Sequence, residues 1–216
     1  NALAIAFTVK SFRDGQCAWA TFSKGNLLDQ GMEETTEKNG TFIHFEPDDE
    51  MFNGYSFHMD FVESMVKNYS YLKKGLTLYL NGTPYVSKNG LLDLVNENLK
   101  EEPLYEPIHL EGEDIEIVLT HGTAYGENIA SFVNGQNTRD GGTHLQAFRE
   151  AVAKTVKEFF KKDYAGEDVR QGIIGAISIQ IQEPIFEAQT KMKLGSTYMW
   201  QKSPVKGGTE EDKGPT

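Results

Sequence analysis

A chain of 216 residues, 38% hydrophobic and 11% aromatic with 13 Phe and 9 Tyr, is long enough to bury a real core in one large or two small domains. Its formal net charge of −11, from 32 acidic against 21 basic residues, argues against a broad phosphate-binding surface, although a local basic groove is compatible with it. The single cysteine, Cys17, excludes an internal disulfide and fits a reducing cytosol, and no apolar run reaches the length of a membrane span, so the composition describes an acidic, cytoplasmic protein. The N-terminus lacks a signal-peptide pattern, and a start at Asn1 rather than Met reads as a fragment or a processed product.

Phe7 to Phe12 and Gln16 to Phe22 are apolar-rich runs joined by Arg13-Asp14-Gly15, the signature of a β-hairpin. Residues 25–39 are polar and charged and read as a loop. Gly40 to Phe45 returns to strand, ended by Pro47-Asp48-Asp49. From Phe57 to Lys74 the spacing turns helical: Phe61, Met65, Tyr69 and Leu72 recur at three to four residues up to a stop at Gly75. Leu76 to Leu80 and Thr83 to Ser87 flank Asn81-Gly82 as a second hairpin, and Leu91 to Leu99 reads as a short helix. Residues 100–109, with two prolines and several charges, form a candidate domain boundary. Asp114 to Thr120 and Glu127 to Asn134 then read as strands with a Gly-containing turn between them. Thr143, with Gln146 three residues on, reads as the N-cap of a capping box opening a helix to Lys161. Leu145, Phe148, Val152, Val156 and Phe159 are its buried stripe. Ile177, Ile179 and Ile181 alternate with polar residues as a half-buried strand closed by Pro184. Lys206 to Thr216 has no periodicity and is expected to be a disordered tail. The fold class is α+β.

Chemistry is sparse. None of His44, His58, His109, His121 and His144 has a partner at a metal-ligand spacing, so no metal site is expected. Cys17, in an apolar hairpin, reads as a small buried hydrophobe. Asp140-Gly141-Gly142-Thr143 enters a helix and could cradle an anion on free N–H groups, but reads more simply as a tight turn plus a cap. Gln189-Thr190-Lys191 follows the last strand. Lys191 could reach a phosphate as a point charge with Gln189 adding an amide donor, and the plainer alternative is an exposed polar loop.

Several segments together resemble the B subunits of bacterial type IIA DNA topoisomerases, gyrase and topoisomerase IV. They are Asn1-Ala2-Leu3, Gly40 to Pro47, Tyr71 to Leu76, Ser131 to Asn134, Gly141 to His144 with Phe148-Arg149, Asp168 to Arg170, and Gln189 to Lys191 with Lys193 to Gly195. Their order and spacing match from residue 1 to about 196. Ser87 to Leu94 is similar to the topoisomerase IV branch of the Bacteroidetes type more than to gyrase.

The resemblance implies that residues 1–95 are the C-terminal half of a GHKL (Bergerat-type) ATPase domain, an α/β sandwich. Residues 100–196 are then a transducer domain with the ribosomal S5 domain 2-like fold, and 197–216 a divergent tail. It implies ATP-dependent DNA strand passage for the parent protein, with ATP and Mg²⁺ bound there. The implied partners are the DNA-cleaving A subunit, a second B subunit in an A2B2 assembly, and DNA. Gln189 and Lys191 are implied to contact the γ-phosphate, and Thr41 to lie beside the adenine pocket. Gly141 to His144 and Asp168 to Arg170 are implied to be structural: a turn, a cap and a brace. The family's general-base Glu, Mg²⁺-binding Asn, adenine-binding Asp and glycine-rich lid match nothing here, so this sequence alone is expected to bind no nucleotide, to hydrolyse no ATP and to leave DNA topology unchanged. Two rivals stand beside this reading. A MutL-type GHKL ATPase is disfavoured by the Gln189-Thr190-Lys191 triplet. A non-enzymatic S5-like binding module is disfavoured by the net charge of −11.

Overall fold

The structure, a computed structural model, describes residues 1–199. Chain contacts divide the described residues into two compact units, Asn1–Met59 and the residues from Asp60 onward. The break precedes the proline-containing segment at 100–109.

The first unit is an antiparallel sheet of β1 (Ala4–Arg13), β2 (Gln16–Ser23), β3 (Asn26–Glu34) and β4 (Gly40–Pro47), in the order β3-β2-β1-β4. Asp14 and Gly15 close the first hairpin with φ of 52° and 80°, between the paired Arg13 and Gln16. Asp and Gly are residues that tolerate this left-handed pair, which matches strand twist. Lys24 and Gly25 repeat the device with φ of 49° and 85°, between Ser23 and Asn26. Residues 26–34 are therefore a strand, which corrects the loop expected from their polarity. β3 is an edge strand held by its backbone ladder to β2, so it needs no alternating apolar face. Gly31 makes room there for Trp19: a Cβ would lie 2.8 Å from the indole Cζ2. Cys17 is buried, as its apolar setting implied.

In the second unit, α1 (Met59–Leu72) is the expected helix, but the face turned inward is not the aromatic stripe. Ser70 is buried and Val62 and Val66 are half-buried, whereas Phe61 is 71% exposed and Met65 and Tyr69 are exposed too. Of the expected stripe only Leu72 packs inward, joining Tyr71 against Leu91, Leu94 and Val95. β5 (Leu78–Leu80) and β6 (Thr83–Tyr85) form the hairpin around Asn81-Gly82, and α2 (Leu91–Asn98) follows.

The main sheet has the order β10-β9-β11-β8-β7, from β7 (Ile108–Gly112), β8 (Ile115–His121), β9 (Asn128–Val133), β10 (Gln136–Asn137) and β11 (Ile173–Ile179). β9 and β11 run parallel, with α3 (Thr143–Phe160) and α4 (Gly166–Arg170) between them in sequence, and the other pairs are antiparallel. β7 lies partly inside the segment read as a boundary. That segment is tied to the sheet: Thr120 Oγ1 donates to Tyr105 O at 2.6 Å and Leu104 N to His121 O at 2.7 Å.

Two cores lie on opposite faces of this sheet. Ile177, Ile179 and Val133 pack with Leu145, Phe148 and Leu194 on the α3 side, while Ala176, Phe132 and Val118 pack with Leu91, Leu94 and Val95 on the α2 side. β11 is thus buried on both faces, not half-buried as its alternation suggested, and Ser178 is buried with it. Met199 also joins the α3-side core, inside the span read as tail, whereas the disorder expected for 206–216 lies outside the described residues. Phe159, assigned to the buried stripe of α3, is 78% exposed, two residues before Lys161 ends the helix in the left-handed conformation.

The turn into α2 is organised by Asp93 at the third helical position. Its carboxylate accepts from Ser87 Oγ at 2.7 Å, Asn89 Nδ2 at 2.9 Å, Asn89 N at 3.0 Å and Lys88 N at 3.2 Å. Burial alone would raise its pKa, but the hydrogen bonds from Asn89, Ser87 and Lys88 outweigh it and hold the carboxyl below its usual range. Asp93→Ala strands these donors and is expected to cost on the order of 2 kcal/mol, read as a lower denaturation midpoint. A midpoint unchanged from the parent would mean that water replaces the carboxylate at no cost.

Candidate functional site

Residues 185–196 form a narrow arm that doubles back on itself. Gly195 N donates to Ile185 O at 2.8 Å, Glu187 N donates to Lys193 O at 3.1 Å, and Phe186 bridges Leu194. At its tip Lys191 N donates to Ala188 O at 3.0 Å, and Lys191 itself has φ 55°. Gln189 and Lys191 therefore share one tight turn with exposed side chains. Lys193 is paired with Glu187 at 2.9 Å, whereas nothing among the described residues pairs with the Lys191 ammonium. Lys191 borders a cleft of about 190 Å³ with Tyr69, Asn134, Gly135, Gln136 and Phe186. Thr41 belongs to the other unit, exposed on β4 opposite Ser11.

The arm is rooted at two places that the sequence did not reveal as such. Before it, the Asn134 side chain acts as a strand partner: its Oδ1 accepts from Ile181 N and its Nδ2 donates to Ile181 O, both at 2.8 Å. After it, residues 192–196 run alongside Asp140-Gly141-Gly142-Thr143. Asp140 N donates to Met192 O at 2.9 Å, Gly141 N to Thr138 O at 2.8 Å and Thr143 N to Leu194 O at 3.2 Å. The N–H groups of Asp140, Gly141 and Thr143 are thus committed within the fold, as a tight turn requires. The capping box does not. Gly142 occupies the N-cap position with no side-chain cap, and the Thr143 hydroxyl donates to Ser196 O, an acceptor that only the tertiary approach of the arm supplies. Arg149 and Arg170 both converge on Glu127, at 2.6 and 2.8 Å, so α3 and α4 are braced through one carboxylate. Burial opposes its ionisation, but the two guanidiniums hold its pKa below the usual range.

His121, His109 and His144 have structural roles. His121 bonds Tyr105 and the Val169 carbonyl. His109 meets Glu111 and Glu116 across the β7–β8 pair, a grouping that only strand register creates, and Lys74 already lies between the two carboxylates as their cation. His144 is 3% exposed, with Nε2 3.2 Å from Thr138 Oγ1. The Thr138 hydroxyl also lies 3.0 Å from Ser131 O, and His144 Nδ1 has no partner among the described residues. Burial lowers the His144 pKa from 6.5 to about 4. The neutral ring suits the folded state at every pH above 6.5. Between pH 6.5 and 4 the unfolded chain alone takes the proton, so stability falls across that window, by on the order of 3 kcal/mol at its acid end. Denaturation midpoints measured from pH 7.5 to 4.5 should fall more steeply for the parent than for His144→Gln. Parallel slopes would mean that His144 titrates while folded.

The model of the DNA gyrase B family matches residues 59–205, continuing past Ser196, where the resemblance was expected to end. The chain is 42% identical over 197 residues to the B subunit of DNA topoisomerase 4 from Borreliella burgdorferi, covering 91% of this chain and 33% of that protein. It is 33% identical over 221 residues to the B subunit of DNA gyrase from Halalkalibacterium halodurans, covering 91% of this chain and 35% of that one. The chain thus spans about a third of the length of these relatives. Among solved structures, the 43K ATPase domain of Thermus thermophilus gyrase B, in complex with an aminocoumarin, superposes with TM-score 0.69 at 26% identity. It covers 90% of this chain and 59% of that one. The ATPase region of Saccharomyces cerevisiae topoisomerase II, at TM-score 0.74 and 19% identity, shares the fold over 90% of this chain and 53% of its own. The α+β fold is therefore that of a type II topoisomerase ATPase region, and the chain belongs to the DNA gyrase B family.

Proposed function

We propose that this chain is the nucleotide-coupling part of the ATP-hydrolysing subunit of a type II DNA topoisomerase. In this reading residues 1–95 are the back half of a GHKL ATPase domain and 100–196 the transducer. The observation that carries the proposal is Lys191: an exposed ammonium with no counter-ion among the described residues, on a tight turn whose base is pinned by backbone hydrogen bonds. Its neighbour Lys193 is neutralised by Glu187 and cannot serve equally.

The chemistry follows from charge and reach. Bound ATP, with Mg²⁺, supplies a terminal phosphate whose charge builds toward the leaving group in the transition state. Lys191 meets that charge as a point cation, and Gln189, two residues away on the same turn, adds a neutral amide donor. Because the arm is hydrogen-bonded to the sheet unit, loss of the terminal phosphate removes Lys191's partner and biases where the whole unit sits. Thr41, on β4 of the first unit, lies beside the adenine. The product is ATP-dependent strand passage in an A2B2 assembly with the DNA-cleaving A subunit, a second B subunit and DNA, in the bacterial cytoplasm. Similarity to the topoisomerase 4 protein of B. burgdorferi at 42% identity, against 33% for gyrase B of H. halodurans, favours the topoisomerase IV branch.

In the intact subunit, Lys191→Ala is expected to lower the ATPase kcat on the order of 100-fold with the unfolding midpoint unchanged, and Gln189→Ala about tenfold. Wild-type hydrolysis by Lys191→Ala would reduce Lys191 to a solvated loop lysine and remove the proposal's main support.

A further inference from the structure

The arm that carries Lys191 has one limb bonded mainly to its own other limb and a second limb bonded to α3. Ile185 and Glu187 of the outgoing limb find their backbone partners in Gly195, Ser196 and Lys193 of the returning one. The returning limb is held from outside: Asp140 N donates to Met192 O at 2.9 Å, Leu194 N donates to Gly141 O at 3.1 Å and Thr143 N to Leu194 O at 3.2 Å. The Thr143 hydroxyl donates to Ser196 O as well. Leu194 is buried against Leu145 and Phe148, both in the first two turns of α3.

This seam closes only because position 142 is glycine. Its φ of 135° lies outside the range side-chain-bearing residues favour, and a Cβ there would sit 2.4 Å from Leu194 O and 2.5 Å from Leu194 N. Both atoms are backbone and cannot swing aside. The residues that open α3 therefore lie directly against the returning limb, in which Leu194 stands three residues after Lys191.

We infer that Gly142 and Thr143 are positioning residues for Lys191, joining the arm to the N-terminus of α3 so that the cation and the helix move as one piece. The inference rests on the reading of Lys191 as the phosphate contact, and it names the element that receives the displacement. α3 is 18 residues long, roughly 27 Å, and its Arg149 shares Glu127 with Arg170, so a shift at the arm reaches α4 through one rigid element.

The test is a double-mutant cycle on the intact subunit. Thr143→Val removes the hydroxyl donor at nearly constant shape, Thr143→Ser restores it, and Gly142→Ala serves as a second probe where it folds. Thr143→Val is expected to lower the ATPase kcat about fivefold, the rate equivalent of one lost hydrogen bond, with KM for ATP unchanged. Thr143→Ser should recover the parent rate. On a Lys191→Ala background, Thr143→Val should produce no further loss in the residual rate, since the residue acts through Lys191. Equal losses on both backgrounds would overturn the inference, as would an unimpaired Thr143→Val beside an impaired Lys191→Ala, and either outcome leaves the Lys191 reading standing. A Lys191→Ala subunit with the parent rate would remove that reading and this inference with it.

Discussion

Strand β11 carries most of the second unit. Its odd-numbered residues Ile177 and Ile179 face the core beneath α3, and Ala176, next to Ile177 on the opposite face, joins the core beneath α2. A strand at the middle of a sheet with a helix on each face has no solvent side, so even Ser178 is buried. The two cores are therefore not independent: displacing β11 toward one helix opens a gap at the other, and close packing makes such gaps costly. The arm leaves the sheet just after β11, so its starting point is fixed by a strand buried on both faces.

Around that strand, local polar devices convert position into orientation. Asn134 substitutes for a missing strand partner at Ile181, Asp93 gathers the donors of the turn before α2, and Glu127 draws Arg149 and Arg170 together. Each uses one side chain to satisfy several groups, which is how a loop can be held without a large apolar core of its own. Lys191 is the contrast. Its backbone is fixed by the turn at Ala188, yet its charge is unmatched among the described residues, an arrangement that suits a ligand bringing the opposite charge.

The regular elements were largely legible. Asp14-Gly15 and Asn81-Gly82 announced their hairpins, because few residue pairs accept two successive left-handed conformations. Lys24-Gly25 does the same work and was not legible, because lysine carries no such preference and the polar β3 offers no alternating pattern. The aromatic stripe of α1 misled for a related reason: periodicity reports that a helix has an apolar face, not that packing will turn it inward. At the site, Gln189 and Lys191 were nameable from the triplet. The capping box read from Thr143 and Gln146 failed because the helix is capped one residue earlier, at Gly142, whose carbonyl accepts from Gln146 N. The Thr143 hydroxyl instead donates to Ser196 O, 53 residues away in sequence.

The sequence by itself determined the α+β class, the hairpins with Asp-Gly and Asn-Gly turns, the long helix after the double glycine and, through its motif order, the family. All of these are written in short windows, where propensity and spacing act on neighbouring residues. Tertiary structure alone decided which face of α1 turned inward, that β11 would be buried on both sides, and that His109, Glu111, Glu116 and Lys74 would meet. It also decided that Gly142 would serve the close approach of Leu194. Each of these depends on which distant segment arrives, and hydrogen-bond donors and apolar faces do not encode in their own spacing the partner that will satisfy them.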